Sequence, residues 1–319
     1  MRPLISFVIP VRDDVHRLQR CLASIVRNKY PRELIELIVV DNESTDGSAR
    51  AARDHGAIVI TASDNCVAAL RNRGARAALG GIIAFVDADH EIDSSWIETA
   101  VEVLSEANVA ATGSPYLTQP SANWVQQQYD GLRTRPVGRE EVSWLGSGNF
   151  AIKRAIFERV GGFDASLTAC EDVDLCNRVR LAGHRIIADP GLRSIHFGDP
   201  RTLKALFFGE LWRGRDNLRV TFRGPRSLRH FRSALVPVGE LYCLKVSLIA
   251  MLFASPTIAA AFLFAALVPS GIRAAGIVRR QLRPGVVAAM QALTVAVVFD
   301  LARALALIMR GSHRARRTA

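Results

Sequence analysis

The sequence predicts an α/β domain with a mostly parallel sheet flanked by helices, followed by an apolar helical region. Three observations predict it. In the first 200 residues, short apolar runs alternate with stretches of helical periodicity, the order that builds parallel sheets. Charge is partitioned along the 319 residues: the chain nets +11, yet residues 1–200 hold 22 Lys+Arg against 26 Asp+Glu, and residues 201–319 hold 19 against 4. Residues 246–268 run for 23 positions without a formal charge, about the ~20 apolar residues that span a bilayer.

The elements follow in order. Residues 5–11 (ISFVIPV) form a buried strand. Asp13 or Asp14 caps a helix whose apolar residues Leu18, Cys21, Leu22 and Ile25 fall at i, i+3, i+4 and i+7. Residues 34–40 are the second strand, ending at Asp41. Residues 45–55 make a short helix closed by Gly56. A third strand covers 57–60, and a helix covers 65–79. Gly80-Gly81 lead into a strand at 82–86. A helix at 94–107 puts Ile97, Ala100, Val101 and Leu104 on one face. Residues 116–142 have few apolar anchors and read as a loop, either substrate-binding or inserted. A helix opens at Glu171 and ends at Ala182-Gly183, and a strand follows at 185–188. This divides the chain into a domain at 1–200, a basic connector at 201–233 and a helical membrane-associated region at 234–319.

Composition excludes several classes. A chain that is 49% hydrophobic is not intrinsically disordered. Five cysteines without a CxxC pair exclude a disulfide scaffold and argue against a four-cysteine zinc site. The basic second half is no nucleic-acid arm, because its charges lie between long apolar runs. Pro256 either kinks one spanning helix or marks the tip of a hairpin that starts near Leu235. A second run, 286–309, contains Asp300 and Arg303, so it packs on protein or lies in the interface. Arginines flank both runs, a pattern that selects the anionic inner leaflet but fits no simple two-span topology of these runs. The first strand begins behind Arg2 with no cleavable leader, which places the N-terminal domain in the cytoplasm.

Ligands of wound sheets bind at the carboxyl ends of the strands, and here those ends are acidic. Strand one ends in PVRDD (residues 10–14), strand two in DNESTDGS (41–48) and the fourth in DAD (87–89). Asp87 and Asp89, two apart in extended backbone, reach one side and can share a hard divalent ion, Mn²⁺ or Mg²⁺. The plainer reading is an acidic helix cap. Glu171 and Asp172 open a helix, where the dipole favours ionised carboxylates and one can act as general base. His196 could complete a metal shell or be a satisfied core histidine. Arg71 could grip a diphosphate. Gly146 to Asn149 could let backbone approach a sugar or form a tight turn.

The ordered set SFVIPVRDD, VVDNESTDGS, LRNRGARAALGGIIAFVDAD, GSGNFAIKRAIFERVGGFD, CEDVDLCNRVRLAGHRI and SIHFGD resembles family 2 glycosyltransferases of the GT-A fold, over residues 4–200. The resemblance implies that Pro10, Val11, Arg12, Asp14, Asp41, Asn42, Arg71 and Asp87 bind the nucleotide-sugar, a UDP-sugar. It implies that Asp89, Asp87 and His196 bind the cation, that Asp172 is the base with Glu171 beside it, and that Trp144, Gly148 and Asn149 face sugar or acceptor. It further implies inverting transfer. The Q-x-x-R-W of processive members is missing; the nearest stretch is GELWRGR (209–215). That points to single-sugar transfer. The apolar tail loosely resembles membrane-attached members that act on lipid-linked or polysaccharide-precursor acceptors. Two alternatives fit the same residues: a polyprenyl-phosphate sugar synthase, and an inactive domain with a lipid-binding tail. The intact Asp87, Asp89 and Asp172 argue against the latter.

Overall fold

The computed structural model describes residues 2–64, 66–225, 228–253, 255–281 and 285–308. Asn65, Arg226, Arg283 and the arginines beyond residue 308 lie outside them. The chain forms two compact units, one of residues 1–119 and 135–198, the other of residues 120–134 and 199–319. The division runs through the stretch read as a loop, so residues 120–134 belong with the C-terminal helices.

The first unit begins β1 (Ile5–Val11), α1 (Val15–Val26), β2 (Ile35–Asp41), α2 (Ser48–Asp54), β3 (Ile58–Thr61), α3 (Val67–Ala77) and β4 (Ile82–Val86). It continues with β5 (His90–Ile92), α4 (Trp96–Ser105), β6 (Val109–Gly113) and β7 (Leu117–Thr118). After α5 (Trp124–Asp130), which belongs to the second unit, come β8 (Glu140–Glu141), β9 (Asn149–Lys153), α6 (Arg154–Arg159), α7 (Glu171–Leu181), β10 (Arg185–Ala188) and β11 (Ser194–His196). The main sheet has the order β3-β2-β1-β4-β9-β6-β10-β8, and a small sheet has the order β5-β11-β7.

β1 and β4 are buried along their whole length, as continuous apolar strands covered on both faces must be. One face packs Phe7, Leu18, Leu22, Ile25 and Trp96; the other packs Val8, Ile83, Phe85, Phe157 and Phe163. The pairing is not uniformly parallel: β9 runs antiparallel to both β4 and β6. The chain re-enters the sheet at the edge where β4 ends, with Asn149 opposite Val86. It must therefore run backward, and the preceding glycines stay at that edge.

The second unit adds α8 (Leu203–Arg213), α9 (Asn217–Arg223), α10 (Leu228–Leu252), α11 (Pro256–Arg279) and α12 (Val286–Leu305) to α5. The last three are long and apolar enough to cross a membrane. The expected basic connector is helical, forming α8 and α9. The side chain and backbone of Asn123 and Gln126 cap α5 reciprocally. Pro237 inside α10 has no N–H for the carbonyl four residues earlier. That carbonyl, of Ser233, accepts from Asn217 Nδ2 at 2.7 Å instead.

α3 lies close on the sheet at Gly74, where a Cβ would sit 2.4 Å from Val8 Cγ1 and 2.9 Å from Val40 Cγ2. Gly74→Ala should lower stability by ~1–3 kcal/mol through overpacking, although alanine is the better helix former by about 1 kcal/mol. Thermal unfolding in detergent checks this; a raised midpoint would show that the contact is not tight.

Candidate active site

The carboxyl edge of the first unit is stitched from its loops. Asp13, at φ +50, accepts at Oδ1 from the Thr45 amide at 2.7 Å, and its own amide donates to Ser44 Oγ. Asp46 accepts from the Val15 amide at 2.8 Å. The loops after β1 and β2 thus hold each other. Pro10 and Val11 are buried at the end of β1, and Arg12 is exposed beyond them. Burial raises the Asp14 carboxyl; Arg17 opposes the shift and the Asp89 charge adds to it. Asp41 closes β2 and is buried; its Oδ2 accepts from the Ser44 amide. Its Oδ1 is buried without a hydrogen-bond partner, a costly state that a ligand N–H would relieve. Asn42 is spent on the chain itself, donating to the Asp64 carbonyl and accepting from the Asp64 amide.

Arg71 does not stand open to a diphosphate. It is 3% exposed, donating from Nη2 to Asp87 Oδ1 at 2.6 Å and from Nη1 to Glu171 Oε1 at 2.9 Å. It joins the end of β4 to the start of α7. Asp87 Oδ1 is thereby taken by arginine, and its Oδ2 lies toward Gly148.

Among the described residues, Asp89, His90 and His196 come together as a set able to hold a cation, their ligand atoms all within 4.8 Å of one another. His196 Nε2 is 3.2 Å from Asp89 Oδ2, and His90 Nε2 is 4.0 Å from Asp89 Oδ1. Both imidazoles are buried and hold Asp89 well below the usual carboxylate range, against the upward push of burial. Tyr116 packs on both rings, at centroid distances of 4.9 and 4.5 Å. His90 Nδ1 lies 3.1 Å from Ser194 Oγ, the kind of second contact that orients a ligating ring. The sequence reading missed His90. Its signal was position alone, directly after Asp89. The pairing of β5 with β11 sets it opposite His196.

The glycines around this cluster leave space for it. A Cβ on Gly198 would fall 2.0 Å from Asp89 Oδ2 and 2.8 Å from His196 Nε2. One on Gly148 would meet Asp87 Oδ2 at 2.7 Å and His90 Nε2 at 3.1 Å, and Gly146 lies beside Asp172 Oδ2. The 146–148 loop therefore runs between the histidine cluster and α7. Asn149 next to it is buried, with its side chain bound to Trp96 Nε1 and to the carbonyls of Ser114 and Leu192. That amide pins the core rather than facing a ligand. Trp144 is half exposed.

At the mouth of α7, Cys170 adopts φ +61, a costly conformation for a non-glycine residue. Asp172 is partly buried, and burial, then the neighbouring Glu171 charge, push its carboxyl up to about 7, against the Val173 amide and Arg71. Asp174 is buried and paired with Arg178 at 2.8 Å.

Arg71→Leu should lower stability by on the order of 3 kcal/mol, because it strands Glu171 and Asp87 without their cation. Denaturant unfolding of the variant checks this. A change below ~0.5 kcal/mol would mean that the two carboxylates are held by other groups.

Residues 6–163 match the family model described as Glycosyl transferase family 2. The glycosyltransferase AglE of Haloferax volcanii is 28% identical over 219 residues, 66% of this chain and 69% of that protein. The pre-mycofactocin glycosyltransferase of Mycobacterium tuberculosis is 27% identical over 203 residues, 58% of this chain and 41% of that protein. Among solved structures, the mannosyltransferase PcManGT of Pyrobaculum calidifontis superposes with a TM-score of 0.60 at 19% identity, covering 94% of this chain and 88% of that one. The first unit, with its acidic strand ends and histidine cluster, therefore belongs to glycosyl transferase family 2, and the chain is a glycosyltransferase with the GT-A fold.

Proposed function

We propose that the chain transfers one sugar from a nucleotide-sugar, UDP-linked, with inversion, to a hydroxyl of a lipid-linked or polysaccharide-precursor acceptor at the cytoplasmic face of a membrane. The observation that carries this reading is one sheet edge holding the orphaned Asp41 oxygen, the Asp89–His90–His196 cluster and Asp172. PcManGT was solved with GDP-Man and Mn²⁺, a donor and cation of the kind this edge suits. The Asp41 oxygen needs an imino N–H, which uracil offers. Guanine offers one too, so a donor panel decides between them.

The donor set fits a divalent cation. One carboxylate and two imidazoles favour Mn²⁺, which accepts imidazole nitrogen more readily, over Mg²⁺, which prefers oxygen. A bound cation would neutralise the charge that develops on the departing diphosphate. The chain's own groups do the rest. Arg71 holds Asp87 at the end of β4, where it faces Gly148 across a gap too small for a side chain. Gly146 leaves the approach to Asp172 open. Asp172 takes the acceptor proton as the hydroxyl attacks, and its position at a helix mouth keeps it within reach of a sugar lying along the 146–148 loop. Glu171 cannot share that role while Arg71 holds it, and Asp174 is taken by Arg178. Attachment to the membrane rests on α10 to α12 and their flanking arginines.

Hydrolysis and transfer across a nucleotide-sugar panel should require Mn²⁺ and vanish in EDTA. His90→Ala and Asp89→Ala should each weaken Mn²⁺ binding at least ~10-fold, the lower bound known even for outer-shell partners. Turnover undiminished by EDTA contradicts the metal reading.

A base with a carboxyl near 7 must lose its proton to act. The value of kcat/KM for the donor should therefore rise with pH to a plateau above about 7. Glu171→Gln removes the like charge and should move that acidic limb to lower pH. Asp172→Asn should cut transfer by ~10²–10⁴-fold with UDP affinity unchanged. If Asp172→Asn transfers sugar normally, another group is the base.

A further inference from the structure

Three helices are apolar enough to cross a bilayer, and the packing of the second unit treats one of them differently. We infer that this unit enters the membrane as a two-armed hairpin, α10 with α11, while α12 stays at the headgroup level with α5 and α8. Both ends of the helical region then lie on one side. The inference rests on the membrane attachment proposed above.

Short helices cover α12. Val295, Val298 and Phe299 pack on Val125, Tyr129 and Leu206 of α5 and α8. Ala302 and Ala306 pack on Phe207 and Leu211 of α8. Helices of 7 and 11 residues reach only ~10 and ~17 Å, against a hydrocarbon core of ~30 Å. They also carry charge. Glu210, fully buried, accepts from Tyr129 Oη at 2.6 Å, Arg303 at 2.8 Å and Arg213 at 2.9 Å. Arg133 pairs with Asp130 at 2.9 Å and with Asp199. If α12 crossed, these groups would enter hydrocarbon beside it, where charge is expensive.

Buried carboxyls and their ion pairs stop at one level along the helices. α11 and α12 are antiparallel: Ala274 and Ile277 pack with Ala292 and Ala296, and Asp300 accepts from Ser270 at 2.9 Å and from Arg273 at 2.7 Å. At the far end of α11, Arg280 donates to the carbonyl of Gly131, and Gln281 to Gln128. Beyond Glu240 on α10 and Ser270 on α11, the arms run on for ~18–21 Å. The arms are joined by the Ser247 hydroxyl, which donates to the Ala259 carbonyl. Their outward residues are bare: Leu248, Met251, Phe253 and Phe264 are 61%, 68%, 80% and 74% exposed. Lys245 is the charge on this stretch, and a long side chain at that depth reaches back to the headgroups. The fitting occupant of this surface is lipid acyl chain.

Charge along the chain agrees. Phe253 and Ser255 at the tip carry no charge, whereas Arg279 and Arg280 stand at the base. Taken as α10 and α11, the two arms satisfy the preference of arginine for the inner leaflet, which the runs counted from sequence alone did not.

The test uses the full-length chain in a bacterial inner membrane, fused at either end to green fluorescent protein or to alkaline phosphatase, each amount fixed by immunoblot. The first is active only inside and the second only outside. The hairpin predicts membrane-bound fluorescence at both ends and no phosphatase activity at either. Phosphatase activity at the C-terminal fusion with fluorescence at the N-terminal one means three crossings and overturns the inference. Fusions in the soluble fraction overturn the membrane reading itself.

Discussion

A single buried guanidinium organises the site. The carboxyl edge of the sheet gathers Asp41, Asp87, Asp89, Glu171 and Asp172, and like charges at such spacing repel. Arg71 binds Asp87 on one side and Glu171 on the other, tying a strand end to a helix start. It reaches them because α3 lies close on the sheet at Gly74, one turn further along. The remaining carboxylates are then free to differ. Asp89 is held in its charged form by two histidines, whereas Asp172 sits partly buried beside a like charge and keeps its proton up to about 7. Carboxylates whose environments push their pKa values apart are suited to different tasks.

How much of this was legible follows from which signals are local. The spans of β1 and β4 follow directly from continuous apolar runs, because a strand buried on both faces has no polar alternation to obscure it. The DAD motif marked Asp87 and Asp89 through the rule that residues two apart in extended backbone face the same way, yet Asp87 meets Arg71 while Asp89 meets the histidines. His90 did not fit that rule. The chain turns after β4, and a register with β11, over a hundred residues away, brings His90 to His196. Arg71 looked like a diphosphate ligand because spacing reveals a position on a helix, not whether its surroundings are carboxylates. Asn149 was read as a sugar contact, yet its amide holds Trp96 and two carbonyls. Those partners come from distant segments that no local pattern identifies.

The apolar half repeats the lesson. The cost of Asp300 and Arg303 in a spanning helix was visible, and so was the choice between interface and protein packing. Their partners were not, because Ser270 and Arg273 lie in α11 and Glu210 lies in α8. The stretch taken for a loop held a signal that could have been used: Asn123 followed three residues later by Gln126, the start of α5. That short helix supplies Tyr129 to Glu210 and apolar contacts to α12.

The most direct test of the account is the chemical identity of the metal ligands. Pulsed electron paramagnetic resonance of Mn²⁺ bound to the full chain with UDP reads the nitrogens on the ion. The account predicts hyperfine coupling from two imidazole nitrogens, one lost in His90→Ala and the other in His196→Ala. A spectrum with no protein nitrogen, or one unchanged by His90→Ala, would contradict it.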